Sequence, residues 1–230
     1  MPGKDVTLWT HQFAPNGWKM VLVLNLLGLS YEYDLEFSRN SRDTSNSIRT
    51  DSRIPTLIDQ QNGNFVIWES NAILRYLGDT YDKDHKISVT GPDRHLTLLR
   101  SIRLVREFPL RKTPSAVERC QKETLRVLGV LESVLSKQDR LVGGKMTIAD
   151  ASFVMWNEWL LFARSVRSVL TTVYRILARL DPDHNIELNM PRDFPAVHAW
   201  HQKMTAFPEI KESLALRLEI SKEFIAVSPY

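Results

Sequence analysis

Two periods of apolar and polar residues run through this chain, and the change from one to the other divides it. Val6-Thr7-Leu8-Trp9 is a short strand-like run, and Gly17 to Leu27 is an apolar helical stretch closed by Gly28. Tyr31 to Phe37 alternates strictly, the pattern of a half-buried strand. Ile54-Pro55-Thr56-Leu57-Ile58-Asp59 and Phe65-Val66-Ile67-Trp68 are two more runs, and Asn62-Gly63 between them predicts a hairpin turned at that dipeptide. Ile73, Leu74 and Leu77 share one face of a helix expected to start at an N-cap Ser70 and stop at Gly78. The order is β-α-β followed by β-β-α.

Beyond this point the pattern is almost wholly helical. Residues 81–93 are charged and close in Gly91-Pro92, as a linker does. Residues 1–80 therefore read as an α/β domain and 94–230 as an all-α domain. Thr147-x-x-Asp150 is a capping box opening a buried helix from Ile148 to Phe162, a structural and not a catalytic pair. Arg164 to Leu180 reads as a further amphipathic helix, and the polar stretch Ser38 to Arg53 as a mobile loop.

Composition narrows the function by exclusion. With 230 residues and 43% hydrophobic ones, the chain is long enough for two small domains or one large one. A net charge of +3, with no basic run interleaved with aromatics, points away from nucleic acid. No unbroken apolar run is long enough for a bilayer, and Met1-Pro2-Gly3-Lys4-Asp5 lacks a signal-peptide core, so no membrane association and a cytoplasmic location are expected. The single cysteine, Cys120, allows no disulfide framework or Cys-x-x-Cys centre; its spacing with Val117, Thr124, Val127 and Leu131 is that of a core thiol. His198 and His201 share a helix face, but no carboxylate or third histidine in the pattern completes a metal site, and none is expected.

The candidate chemistry lies at Glu69-Ser70. A helix start offers unpaired N–H groups and partial positive charge to a carboxylate, and an adjacent glutamate can hold an ammonium. A buried acid–hydroxyl pair at this place would therefore suit the zwitterionic end of a small peptide. Ile54-Pro55 is a candidate cis peptide, a bend that would present the N–H and C=O of Ile54 for strand-like pairing; the sequence leaves the isomer open.

The segments Val6-Thr7-Leu8-Trp9, Ala14-Pro15-Asn16-Gly17-Trp18-Lys19, Arg53-Ile54-Pro55-Thr56-Leu57-Ile58-Asp59 and Trp68-Glu69-Ser70-Asn71-Ala72-Ile73-Leu74-Arg75-Tyr76-Leu77 carry a family resemblance. So do Ala116-Val117-Glu118-Arg119, Val142 to Asp150, and Phe194 to Trp200 in the second half. With these motifs in this order, the chain resembles a cytosolic glutathione transferase, in particular the fungal group related to the yeast prion-forming nitrogen regulator. The resemblance spans nearly the whole chain. It implies a thioredoxin-like N-terminal domain, an all-α domain contributing a second-substrate pocket, and a homodimer. It also implies glutathione as cosubstrate or catalytic cofactor.

Residue by residue, the resemblance assigns Glu69 and Ser70 to the γ-glutamyl end, Ile54 with Pro55 to the backbone clamp, and Arg53 to a side-chain contact. A free thiol titrates near about 8.5, so only a few per cent is thiolate at neutral pH. One charge-assisted hydrogen bond, worth about 1.5–3 kcal/mol, suffices to change that. In the stretch Thr10 to Gly17, where other classes place a tyrosine, serine or cysteine, Ala14 has no polar atom and Asn16 is the candidate catalytic donor. Two alternatives stand beside it: Asn16 as a plain helix cap, and His11 as the nearby titratable group.

The resemblance implies an electrophilic, unsaturated small molecule as second substrate, conjugated or isomerised about a double bond, in a member serving fungal secondary metabolism. The alternative is a non-catalytic glutathione-fold regulator or ligand carrier. Three departures bear on this. The usual Asn-Pro pair before the clamp is replaced by Arg49-Thr50, the helix from His95 to Glu107 runs almost directly into Phe108-Pro109, and Arg164 to Leu180 is an extra helix.

Overall fold

Val6–Trp9 (β1), Tyr31–Asp34 (β2), Thr56–Asp59 (β3) and Phe65–Trp68 (β4) form one mixed sheet in the order β2-β1-β3-β4. β1 runs parallel to β2 and antiparallel to β3, and β3 antiparallel to β4. With helices α1 (Pro15–Leu27) between β1 and β2, and α2 (Ser70–Tyr81) after β4, this is the expected β-α-β, β-β-α thioredoxin-like unit. The structure, a computed structural model, describes residues 4–11, 14–34, 54–90, 114–165 and 189–227. Arg53, the Ser38–Arg53 loop, Arg49-Thr50, the His95–Glu107 helix with Phe108-Pro109, residues 166–180 and the Cys120 side chain lie outside them.

The second half is helical: α3 (Pro114–Leu135), α4 (Ile148–Ser165), the short turn α5 (Met190–Asp193), α6 (Pro195–Thr205) and α7 (Pro208–Val227). α1 packs against α2, α4 and α7, and Trp18 through Leu24 are all buried. One apolar cluster runs from Val6, Leu8 and Leu57 through α1 to Ile148, Met155, Trp200 and Met204. The two halves thus share a core.

Four boundaries differ from the sequence reading, the first being that α1 starts at Pro15 and not at Gly17. The hairpin does not turn at Asn62-Gly63. The N–H of Asn62 donates to Asp59 Oδ1 (3.1 Å) and its side-chain amide to the Tyr76 hydroxyl (3.0 Å), so the turn falls one residue later, with φ of 63° at Gly63 and 58° at Asn64. Phe65 N–H closes it onto the Asn62 carbonyl at 3.2 Å. α2 does not stop at Gly78 but continues to Tyr81. A Cβ on Gly78 would lie 2.8 Å from Ile148 Cδ1 and 3.0 Å from Ser88 Oγ, so this glycine admits α4 against α2. Finally, α4 extends three residues beyond Phe162, to Ser165.

Past α2, buried Asp82 accepts the N–H groups of Lys86 (2.7 Å), Ile87 (2.9 Å) and Ser88 (2.7 Å), and the Ile87 carbonyl then receives Ile148 N–H at 2.9 Å. One carboxylate folds the connection and delivers it to the start of α4. Burial opposes ionisation of Asp82, but the Ser88 hydroxyl and the three N–H groups outweigh it and hold the carboxyl below its ordinary range. No helix among the described residues is long and apolar enough to cross a membrane.

Candidate functional site

Strand register assembles the site. Trp9, the last residue of β1, pairs with Thr56, the first of β3, and Thr56 pairs with Trp68, the last of β4. The turn leading into α1, the Ile54-Pro55 approach to β3 and the Glu69-Ser70 start of α2 therefore meet at one end of the sheet. The Ile54-Pro55 peptide is cis.

At the start of α1, Pro15 sits in the first turn and Ala14 is the N-cap, with no side-chain capping bond. Asn16 thus lies inside the first turn, and the alternative reading of it as a helix cap is set aside. Next to it, a Cβ on Gly17 would fall 1.6 Å from Thr10 Oγ1, so only glycine lets this turn rest on the buried Thr10 side chain. The Asn16 side chain accepts instead from the helical half: Trp156 Nε1–H on α4 donates to Asn16 Oδ1 at 3.3 Å. His11 is partly buried, which pushes its imidazole pKa down.

At the start of α2, the expected cap is corrected in two ways. The N-cap is Glu69, not Ser70, and neither side chain caps the helix. Nor is the pair jointly buried: Ser70 is buried, whereas Glu69 is exposed. Its backbone is also unusual: Glu69 has φ of 70°, a conformation costing a non-glycine residue about 1–3 kcal/mol. The Glu69 carbonyl still accepts the Ile73 N–H at 2.9 Å, so the helix starts regularly behind it. The first N–H groups of α2 have no acceptor within the helix.

Beneath this junction lies a residue to which sequence reasoning gave no role. Lys19, one turn after Asn16, is only 3% exposed and donates from Nζ to Asn71 Oδ1 at 3.0 Å. Burial pushes its ammonium down to about 8, against the opposing pull of Glu69. It ties the first turns of α1 and α2 together and adds positive charge under the α2 N-terminus. Its signal in the sequence was a lysine set inside the apolar run Trp18 to Leu24. Trp156, 140 residues from Asn16, had no such signal.

His201 Nε2 lies 2.7 Å from Glu158 Oε1, a carboxylate partner that sequence spacing did not reveal. Among the described residues no group of three or more histidine, cysteine, aspartate or glutamate side chains could hold a metal.

Comparison with known proteins agrees in both halves. The glutathione S-transferase N-terminal domain is matched over residues 4–79 and the glutathione S-transferase C-terminal domain over residues 101–208. The chain is 34% identical to glutathione S-transferase 1 of Schizosaccharomyces pombe, over 92% of this chain and 96% of that protein. It is 28% identical to the transcriptional regulator URE2 of Saccharomyces cerevisiae, over 93% of this chain and 68% of the regulator. Ure2p5 from Phanerochaete chrysosporium, cocrystallized with 1-(S-glutathionyl)-2,4-dinitrobenzene, superposes with a TM-score of 0.75 at 36% identity, covering all of both chains.

Proposed function

The chain belongs to the glutathione S-transferase family, and from that premise we propose that the shared end of β1, β3 and β4 is its glutathione site, with Asn16 as the donor to the thiolate. The protein is a glutathione transferase, and glutathione is its cosubstrate. The observation carrying the residue assignment is the Trp9–Thr56–Trp68 register, which sets an extended backbone edge beside two uncapped helix starts.

In this reading Glu69 holds the γ-glutamyl ammonium, and Ser70 with the first N–H groups of α2 holds its carboxylate. Ile54, ahead of Pro55, pairs with the peptide backbone, and Arg53 adds a side-chain contact. Lys19 supports the anion site from below. Asn16 stabilises the thiolate but, being an amide, cannot accept its proton; water or a carboxylate of the peptide itself takes it. The S–H bond breaks at the protein, and the sulfur keeps the electron pair.

The second substrate in this reading is an electrophilic, unsaturated small metabolite bound against the helical half. Thiolate addition to an activated double bond forms a C–S bond and moves the π electrons onto the activating group. Protonation there leaves a conjugate. Rotation about the former double bond followed by expulsion of the thiolate leaves a cis–trans isomer and free glutathione. Both outcomes use the same half-site, and a dedicated role in fungal secondary metabolism, in a cytoplasmic homodimer, completes the reading. The conjugate held by Ure2p5 and the relatives bearing the transferase name favour an enzyme over the non-catalytic alternative.

The test is mass spectrometry of turnover mixtures with glutathione and candidate unsaturated electrophiles. A product heavier by glutathione marks transfer; unchanged mass, altered retention and catalytic glutathione mark isomerisation. Full-rate turnover in rigorously glutathione-free buffer overturns both.

A further inference from the structure

A side chain from the helical half touches the residue assigned to the thiolate. Trp156 on α4 donates its indole N–H to Asn16 Oδ1 at 3.3 Å, slightly longer than the usual range of about 2.7–3.2 Å. An indole nitrogen is only a donor, so it can face only the oxygen of an amide, and the amide nitrogen must face away. With Oδ1 so engaged, the NH2 of Asn16 is turned away from Trp156. We propose that Trp156 is a positioning residue for thiol activation: through its bond to Oδ1 it selects the Asn16 orientation that donates to the glutathione sulfur. The proposal rests on the reading of Asn16 as the thiolate donor.

The indole is half-buried on a helix that packs against α1. α4 lies against α1, and the residues beside Trp156 on α4, Phe153, Val154, Met155 and Asn157, are all buried. Asn16 itself lies inside the first helical turn, behind the N-cap Ala14, so its side chain is not the helix cap. An amide held only by its own χ angles samples both faces, and half of its orientations present the oxygen to the sulfur, which repels a thiolate. A hydrogen bond from the second domain removes those orientations. It also makes the chemistry of the N-terminal half depend on correct docking of the helical half.

The test uses the full chain, glutathione, and 1-chloro-2,4-dinitrobenzene as the electrophile. Trp156→Phe keeps an aromatic ring and removes the N–H. It is expected to raise the pKa of the bound glutathione thiol, followed by ultraviolet thiolate absorbance, and to lower kcat by about tenfold. KM for glutathione stays unchanged. A purely structural role for Trp156 shifts the melting temperature without the thiol pKa, and a role in contacting the electrophile shifts only the KM for that compound. In an Asn16→Ala background, Trp156→Phe is expected to do nothing further.

The outcomes separate the two readings. If Asn16→Ala leaves the thiol pKa unchanged, the Asn16 assignment fails and this proposal with it. If Asn16→Ala raises the pKa but folded Trp156→Phe does not, or if Trp156→Phe acts equally in both backgrounds, the Trp156 proposal alone is overturned. Should Trp156→Phe not fold, the bond is read in protein that keeps the indole. With 15N-labelled tryptophan, the Trp156 N–H resonance shifts on Asn16→Ala, and an unshifted resonance overturns the proposal.

Discussion

The N-termini of α4 and α2 are built to opposite rules. At the start of α4, the buried Asp150 carboxylate accepts from Leu141 N–H (3.1 Å), Thr147 N–H (2.9 Å), Thr147 Oγ1–H (3.0 Å) and Trp200 Nε1–H (3.0 Å). Both of its oxygens are in use, and it joins a loop, a cap and α6. At the start of α2, the acid is turned outward on a left-handed backbone, no side chain caps the helix, and a buried ammonium lies underneath. The first arrangement completes its own hydrogen bonds and so contributes stability. The second has no side-chain cap, so the first N–H groups of its helix have no partner within the helix, at a cost in strain and burial. Saturation within the fold, not the mere presence of polar residues, distinguishes a structural helix start from a binding one.

The largest expected effect falls on the saturated end. Asp150→Ala strands three buried donors at once and should cost about 3–5 kcal/mol, a large share of the roughly 5–15 kcal/mol that holds a domain folded. Urea unfolding measures it, and whatever fraction remains folded should bind glutathione normally. An Asp150→Ala protein that unfolds at the wild-type midpoint would break the contrast.

The opposite pattern is expected at α2. Replacing Glu69 and Ser70 together with alanine should weaken glutathione by about a hundredfold, on the order of 3 kcal/mol for two charge-assisted contacts. The stability change should stay below about 1 kcal/mol, since the exposed Glu69 is largely screened. Titration calorimetry and urea unfolding on the same protein read the two numbers. Unchanged affinity in a folded double variant defeats the assignment of this junction to the γ-glutamyl end.

Most of this contrast could be read in the sequence, because it is local. The capping box at Thr147 and Asp150, the β-α-β, β-β-α order and the Glu69-Ser70 helix start each follow from a few adjacent residues. What escaped depends on partners distant in the chain. Gly78 looked like a helix stop because a glycine after an apolar stripe ends many helices, but its neighbour is Ile148 on the far side of the domain boundary. The turn moved from Asn62 because Tyr76 and Asp59 hold that residue. Ser70 read as a cap because serine usually is one, and nothing local announced the left-handed backbone at Glu69. Asn16 was found by its place before α1, but the structure sets it inside the first turn behind the N-cap Ala14, with its side-chain partner Trp156 distant in the chain.

Next in size is Asn16→Ala, which sharpens the contrast by separating chemistry from binding. Loss of one charge-assisted hydrogen bond should lower kcat/KM by about ten- to a hundredfold, roughly 1.4–2.7 kcal/mol, with little change in glutathione affinity. Steady-state kinetics with varied glutathione reads this as a fall in kcat at constant KM. A fall through KM alone returns Asn16 to the binding contacts.

The smallest expected effect tests the claim that the binding end costs stability. The Lys19 ammonium is held down to about 8 by burial, against an ordinary 10.5, with Glu69 only partly opposing. In the unfolded chain the same lysine keeps its proton to about 10.5, so between pH 8 and 10.5 the unfolded state binds more protons and stability from this group rises with pH. Below pH 8 the penalty is constant, and at roughly 1.4 kcal/mol per pH unit it reaches about 3 kcal/mol. Lys19→Met removes that penalty but leaves Asn71 without its donor, so a net gain of about 1–2 kcal/mol is expected at pH 7. Glutathione affinity should fall several-fold as the α2 N-terminus loses the charge beneath it. The decisive reading is the stability gap between variant and wild type: it should close as pH rises from 8 towards 10.5, because the wild type sheds the same penalty by losing its proton. A gap constant over that range, or a variant less stable at pH 7, means that Lys19 is as well satisfied as Asp150, and the distinction between the two helix starts fails at that residue.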